Sequence, residues 1–386
     1  MVTESTLSHA VSVKCSACEK EYALNELLTF SPCCTKPLLV NYDLTDLSKE
    51  ALLPKTSLWR YEALLPVMNP ENIVSLGEGM TPILSLQRLS GEYGFEQLYL
   101  KDESANPTGS FKARGMSVAI SKAKELGIQR CIVPTAGNAG GAMSAYCAKA
   151  GMEATVVMPA FTPRLFKEEC RNFGANVVEV NGLIDACGQK VRELREKDPD
   201  LFDVSTMKEP YRLEGKKTMG FEIAEQFEGT LPDVIIYPTG GGTGLIGIWK
   251  AFEEMRTLGW IAGKLPRMVA IQAANCAPIW SDVTKEEFLP KPSLANGLAV
   301  PYPFAKGLIL SVLEESKGGV YSVTEEELIA GTHELMTKEG IFAAPEGGAI
   351  WAGLKKMLRA GVVKRSEKIL LINTGSAYKY MENLAR

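Results

Sequence analysis

Tyr237-Pro238-Thr239-Gly240-Gly241-Gly242-Thr243-Gly244 ends the β-branched run DVIIYP (233–238) and opens the helical pattern LIGIWKAFEEM (245–255). Glycines at this junction let backbone N–H groups converge on an anion, and the start of the helix adds a partial positive charge. No Gly-Lys-Ser/Thr follows, and no acidic residue stands where a dinucleotide fingerprint needs one. The loop therefore reads as a phosphate cradle of another kind, built on a strand-turn-helix unit.

Working outward, the same unit recurs. LYLKD (98–102), CIVPTA (131–136), ATVVMP (154–159), NVVEV (176–180), MVAIQA (268–273) and ILLINT (369–374) alternate with longer helical patterns. That alternation predicts an α/β fold of parallel sheets flanked by helices, with ligands at the carboxyl ends of strands. The strands fall into two groups, so two domains are expected. A small α/β domain spans 112–212 and a large one spans 46–111 with 213–386. Residues 1–45, short and cysteine-containing, read as a separate ribbon-like module.

Composition narrows the function. The 386 residues are 46% hydrophobic, enough for a large core. A formal net charge of −4 with no basic block argues against a nucleic-acid partner. No apolar run is long enough to span a bilayer, the N-terminus lacks the layout of a signal peptide, and nine scattered cysteines suit a reducing compartment, so a cytoplasmic protein with small-molecule partners is expected. With His9 and His333 as the only histidines, histidine triads and multi-histidine metal sites are excluded.

Asn106-Pro107-Thr108-Gly109-Ser110-Phe111-Lys112 leads into the helical pattern FKARGMSVAISKAKEL, which places Lys112 in a first helical turn. The helix dipole disfavours a cation there and suits a neutral amine, the form in which a lysine attacks a carbonyl. On position alone a solvated surface lysine is the simpler account. Thr135-Ala136-Gly137-Asn138-Ala139-Gly140-Gly141 offers N–H donors and an amide at another strand-to-helix junction. Asn373-Thr374-Gly375-Ser376 ends the last strand with hydroxyls, which ordinary turn chemistry also explains.

Taken in order, NPTGSFKARG, TAGNAGG, PTGGGTG and NTGS resemble the motifs of fold-type II pyridoxal-phosphate enzymes, the group that contains tryptophan synthase β. Within it SLGEGMTPI (75–83), EPYRLEGKKTMGFEIAEQ (209–226) and APEGGA (344–349) are similar to segments of the threonine synthase family. The resemblance runs from about Ser75 to Tyr380 and reverses the account of Lys112. It implies Lys112 as Schiff-base lysine and proton shuttle, Asn138 at the cofactor's phenolic oxygen, and Gly240, Gly241, Gly242, Thr243 and Gly244 at its phosphate. Thr374 would meet the pyridine nitrogen; a neutral hydroxyl there weakens the electron sink and favours eliminations. Thr135, Ala136, Gly137 and Ala139 would receive the substrate carboxylate.

The same resemblance implies conversion of O-phospho-L-homoserine and water to L-threonine and phosphate, by a homodimer. The alternatives are a related ammonia-lyase or β-replacing enzyme acting on serine or threonine, and a cofactor-binding protein without turnover. In the segment that grips the substrate phosphate, the family's Asn-Ser-x-Asn-Pro-x-Arg is replaced by Thr206-Met207-Lys208-Glu209-Pro210-Tyr211-Arg212. Arg212 with Lys216 or Lys217 is expected to bind the phosphoryl group, opposed by Glu209 if that residue faces the same way; a solvated helix start is the other account of these cations.

Cys15-x-x-Cys18 followed by Cys33-Cys34 is similar to a zinc ribbon that precedes some members of the family. A second C-x-x-C is missing: Ser31 stands where it needs a cysteine, and adjacent cysteines meet one tetrahedral metal only with strained geometry. The expectation is a degenerate ribbon packed by apolar residues, with less than a full equivalent of zinc on Cys15, Cys18, Cys33 and Cys34.

Overall fold

A computed structural model describes residues 8–384. Strands β1 (Ala10–Cys15), β2 (Glu21–Ala23) and β3 (Leu38–Tyr42) form an antiparallel sheet in the order β2-β1-β3. The inward residues Val13, Leu38 and Val40 bury themselves against Leu58, Trp59, Val118 and Tyr211. The ribbon is thus packed on the back of the helix that begins with Lys112.

The chain then forms β4 (Ile83–Ser85) and β5 (Gln97–Asp102). It next builds β6 (Arg130–Pro134), β7 (Glu153–Pro159), β8 (Asn176–Val180) and β9 (Phe202–Asp203). It closes with β10 (Val234–Pro238), β11 (Arg267–Ala273), β12 (Gly319–Val323) and β13 (Lys368–Asn373). Two sheets result, one ordered β12-β11-β10-β13-β5-β4 and the other β8-β7-β6-β9. All ladders in them are parallel except β4 on β5.

The apolar interiors of β10 and β13, Val234, Ile235, Ile236, Ile369, Leu370 and Leu371, are fully buried, as a parallel sheet covered on both faces requires. Helices Lys112–Glu125 and Tyr211–Gln226 carry charged groups into this interior. Arg114 pairs with Glu103 at 2.6 Å and with Glu222, and Lys101 reaches Glu222 at 2.9 Å, all without solvent exposure. Such a network is tolerated because each charge has a partner. Among the described residues, no helix is long and apolar enough to cross a membrane.

Candidate active site

Lys112 is the first residue of its helix, and the loop before it is stitched to the end of β13. The Phe111 N–H donates to the Thr374 carbonyl at 3.0 Å, and the Ser376 N–H donates to the Gly109 carbonyl at 3.0 Å. Thr108 adopts the left-handed conformation, φ 57°, to make this turn. Burial first, and then the positive charge of Arg212, push the Lys112 amine down to about 7, against the opposing pull of Glu346. A lysine of this kind has a substantial neutral fraction at physiological pH, which holds a lone pair for a carbonyl.

A cleft of about 360 Å³ opens at the carboxyl ends of β6, β10 and β13. It is lined by Lys112, by Thr135, Ala136, Gly137, Asn138 and Ala139, by Gly240 to Gly244, and by Thr374. Four segments far apart in sequence thus meet on one surface. Asn138 opens helix Asn138–Ala150, and the Thr135 hydroxyl accepts the Gly137 N–H at 3.0 Å to hold the turn before it.

The glycine loop has the form of a cradle. Gly242 sits at φ 80° before helix Thr243–Thr257, and no side chain caps that helix start. A Cβ on Gly241 would meet Thr206 at 2.6 Å, and one on Gly244 would meet the Tyr237 hydroxyl at 1.8 Å. That hydroxyl is buried without a partner. Uncapped N–H groups, absent side chains and an orphaned hydroxyl together fit a phosphate.

The three cations assigned above to a substrate phosphate do not line the cleft, which corrects that expectation. Helix Tyr211–Gln226 is buried on every side, so its charged residues face the interior. Lys217 pairs with Glu214 at 2.6 Å and Glu254 at 2.9 Å and lies 3.8 Å from the centre of the Tyr42 ring. Lys216 contacts the Arg212 carbonyl at 3.4 Å, and burial drives its amine well below the ordinary lysine range. Arg212 donates Nη1 to the Val204 carbonyl at 2.6 Å, while its Nε and Nη2 have no partner. Glu209 is absent from the cleft lining: it accepts the Tyr211 and Arg212 N–H groups at 2.7 and 3.0 Å, and its charge acts on Arg212 and Lys216 within the interior.

Other residues take their place. Lys208 and Arg192 line the cleft, and among the described residues neither has an ion-pair partner. Glu346, 4% exposed, also lines it, accepting the Gly297 N–H at 2.8 Å and the Tyr380 hydroxyl at 3.0 Å on Oε1, with Oε2 unpartnered. Burial holds its carboxyl above the usual range. APEGGA carried a signal for Glu346, but only as a family likeness without a role. The wall formed by Asn296 to Phe304 had no signal beyond its glycine and prolines.

The N-terminal cysteines also depart from expectation, in geometry. The Sγ atoms of Cys15, Cys18, Cys33 and Cys34 all lie within 4.8 Å of one another. Ser31 makes this possible. Its backbone closes a turn through Thr35 and Lys36, its hydroxyl accepts the Lys36 N–H at 3.0 Å and the Cys15 thiol at 3.2 Å, and the chain turns back through Thr35 at φ 52°. The adjacent pair Cys33-Cys34 is folded toward Cys18 as a result.

Comparison with known proteins agrees with the cleft. Residues 74–375 match the family model of pyridoxal-phosphate dependent enzymes. The threonine synthase of Methanocaldococcus jannaschii is 35% identical over 377 residues, 95% of this chain and 92% of that protein. This chain belongs to the threonine synthase family. The family member from Methanosarcina acetivorans is 36% identical over 378 residues, with the same coverage of 95% and 92%. Among solved structures, O-ureido-L-serine synthase superposes with a TM-score of 0.66 at 25% identity, covering 79% of this chain and 92% of that one. Threonine deaminase isoform 2 of Solanum lycopersicum shares the fold, with a TM-score of 0.65 at 21% identity over 79% of this chain and 82% of its own. As a family member, this chain is a pyridoxal-phosphate-dependent lyase, and the cradle and Lys112 fit that cofactor.

Proposed function

We propose that the cleft converts O-phospho-L-homoserine and water to L-threonine and phosphate. One observation carries the reading: Lys112, Asn138, the glycine cradle and Thr374 line a single cleft that also contains the unpaired cations Lys208 and Arg192. The cradle takes the cofactor phosphate, so a free cation elsewhere in the cleft suits a second one.

When bound, pyridoxal phosphate supplies the electron sink that makes Cα–H and Cβ–H acidic. Lys112 anchors it and, as an amine of pKa about 7, moves protons at the substrate carbons. Protons leave Cα and Cβ, the Cγ–O bond breaks with phosphate departing, a proton enters at Cγ, water adds its hydroxyl at Cβ, and Cα is reprotonated. Asn138 would donate to the phenolic oxygen and Thr374 would offer a neutral hydroxyl at the pyridine nitrogen. The loop Thr135–Ala139, at a helix start, receives the substrate carboxylate. Lys208 takes the phosphoryl group from the cleft surface.

The test is to supply purified holoprotein with O-phospho-L-homoserine, L-threonine and L-serine and to measure threonine, phosphate, ammonia and 2-oxobutanoate. Equimolar threonine and phosphate from the first substrate is the expected result. Ammonia from serine or threonine without phosphate release would favour an ammonia-lyase instead. The family resemblance also supports a cytoplasmic homodimer, for which light scattering of the purified protein gives the mass.

A further inference from the structure

Lys379 lies outside every motif used above, in the stretch Ser376-Ala377-Tyr378-Lys379 that follows the last strand. Its ammonium has three hydrogens and three acceptors. Nζ reaches the Thr108 carbonyl at 2.6 Å, Glu169 Oε2 at 2.8 Å and Asn138 Oδ1 at 3.1 Å. These belong to the loop before Lys112, to helix Arg164–Asn172 and to the start of helix Asn138–Ala150. An ammonium cannot accept a hydrogen bond, so the Asn138 atom facing it must be the carbonyl oxygen. The amide orientation is therefore fixed by chemistry.

The other half of the amide is held as well. Asn138 Nδ2 donates to the Tyr380 hydroxyl at 3.3 Å, and that hydroxyl donates onward to Glu346 Oε1 at 3.0 Å. The Tyr380 ring is packed edge-on against Phe166, with centroids 5.3 Å apart. One Nδ2 hydrogen is spent on Tyr380 and one remains. We propose that Lys379 and Tyr380 are positioning residues that lock the Asn138 amide so its remaining N–H points at the cofactor's phenolic oxygen. This rests on the placement of Asn138 argued under the proposed function. Without Lys379 the amide is free to turn its oxygen toward that phenolic oxygen, where two acceptors repel.

The readout is the pH at which the visible band of the bound cofactor titrates, measured on holoprotein without substrate. A donor on the phenolic oxygen withdraws electron density from the proton shared with the lysine nitrogen, so its loss raises the midpoint. Asn138→Ala and Lys379→Met should each raise it by about half a unit to one unit, the scale of one hydrogen bond. Glu169→Gln, which weakens the ion pair but leaves Lys379 beside Asn138, should leave it in place. Should Lys379→Met fold poorly, Tyr380→Phe keeps the ring on Phe166 and should move the midpoint in the same direction by less. A shift in Asn138→Ala with none in Lys379→Met and Tyr380→Phe overturns the positioning role alone. Equal shifts in Glu169→Gln and Lys379→Met also overturn it, assigning the effect to the ion pair. No shift in Asn138→Ala removes the placement of Asn138 and this inference with it.

Discussion

Arg212 and Lys112 form a buried like-charged pair: burial first, and then the guanidinium charge of Arg212, hold the Lys112 amine down near 7. The sign follows directly. Below about pH 7 the amine is protonated and has no lone pair; above it the amine is free, well before an ordinary lysine at about 10.4. Capture of pyridoxal phosphate by apoprotein should therefore speed up as pH rises through about 7 and level off beyond. Arg212→Met should shift that midpoint upward. Stopped-flow absorbance across about pH 6 to 9 measures it; a midpoint unmoved by Arg212→Met would separate the two residues.

Gly241→Val should weaken cofactor retention about tenfold or more, since its side chain must displace Thr206, whose methyl already lies 2.6 Å from the position of a Cβ. Overpacking of this kind costs about 1–3 kcal/mol. Equilibrium dialysis of pyridoxal phosphate gives the answer, and wild-type retention would remove Gly241 from the cradle.

Lys208 and Lys217 separate a substrate cation from a structural one. Loss of a charge-assisted contact is worth about 1.5–3 kcal/mol, so Lys208→Ala should lower kcat/KM for O-phospho-L-homoserine by about one to two orders of magnitude with the melting temperature unchanged. Lys217→Met leaves Lys250 as the remaining cation beside the buried Glu214 and Glu254 and should lower the melting temperature. Thermal melts with steady-state kinetics distinguish them. The reverse pattern would return the phosphoryl group to the helix.

At the N-terminus, four sulfurs within 4.8 Å suit a tetrahedral ion held by four thiolates, whose metal–sulfur bonds of about 2.3 Å require only small adjustment. Protein prepared without chelator should hold one equivalent of zinc, lost in Cys18→Ser, while cofactor absorbance persists because the ribbon packs behind the Lys112 helix. Metal analysis showing well under one equivalent would mean that the pocket of thiols stays metal-free.

Much of this was readable in the chain. All seven apolar runs became strands, and in central ones such as β10 and β13 burial on both faces requires an unbroken apolar stretch. In the two larger sheets the unread strands were β4, β9 and β12: the first two have three and two residues, and β12 begins with a glycine at the sheet edge. The cleft was legible where glycine, asparagine and threonine mark strand ends. Glu346 and Tyr380 were not, since one sits in a helix first turn and the other beyond the last strand, joined only by tertiary packing. Arg212 misled for a related reason. Motif spacing gives its place in the chain, but not the way a fully buried helix points it.

The central claim is that the cofactor is carried on Lys112, and borohydride reduction of the holoprotein followed by peptide mass mapping tests it most directly. Lys216 is the informative rival, being buried near the same Phe111 ring with its amine also depressed. The expected result is a single phosphopyridoxyl label on the peptide that contains Lys112, absent in Lys112→Ala along with the visible band. A label on Lys216 or any other lysine, or an unchanged band in Lys112→Ala, would contradict the account.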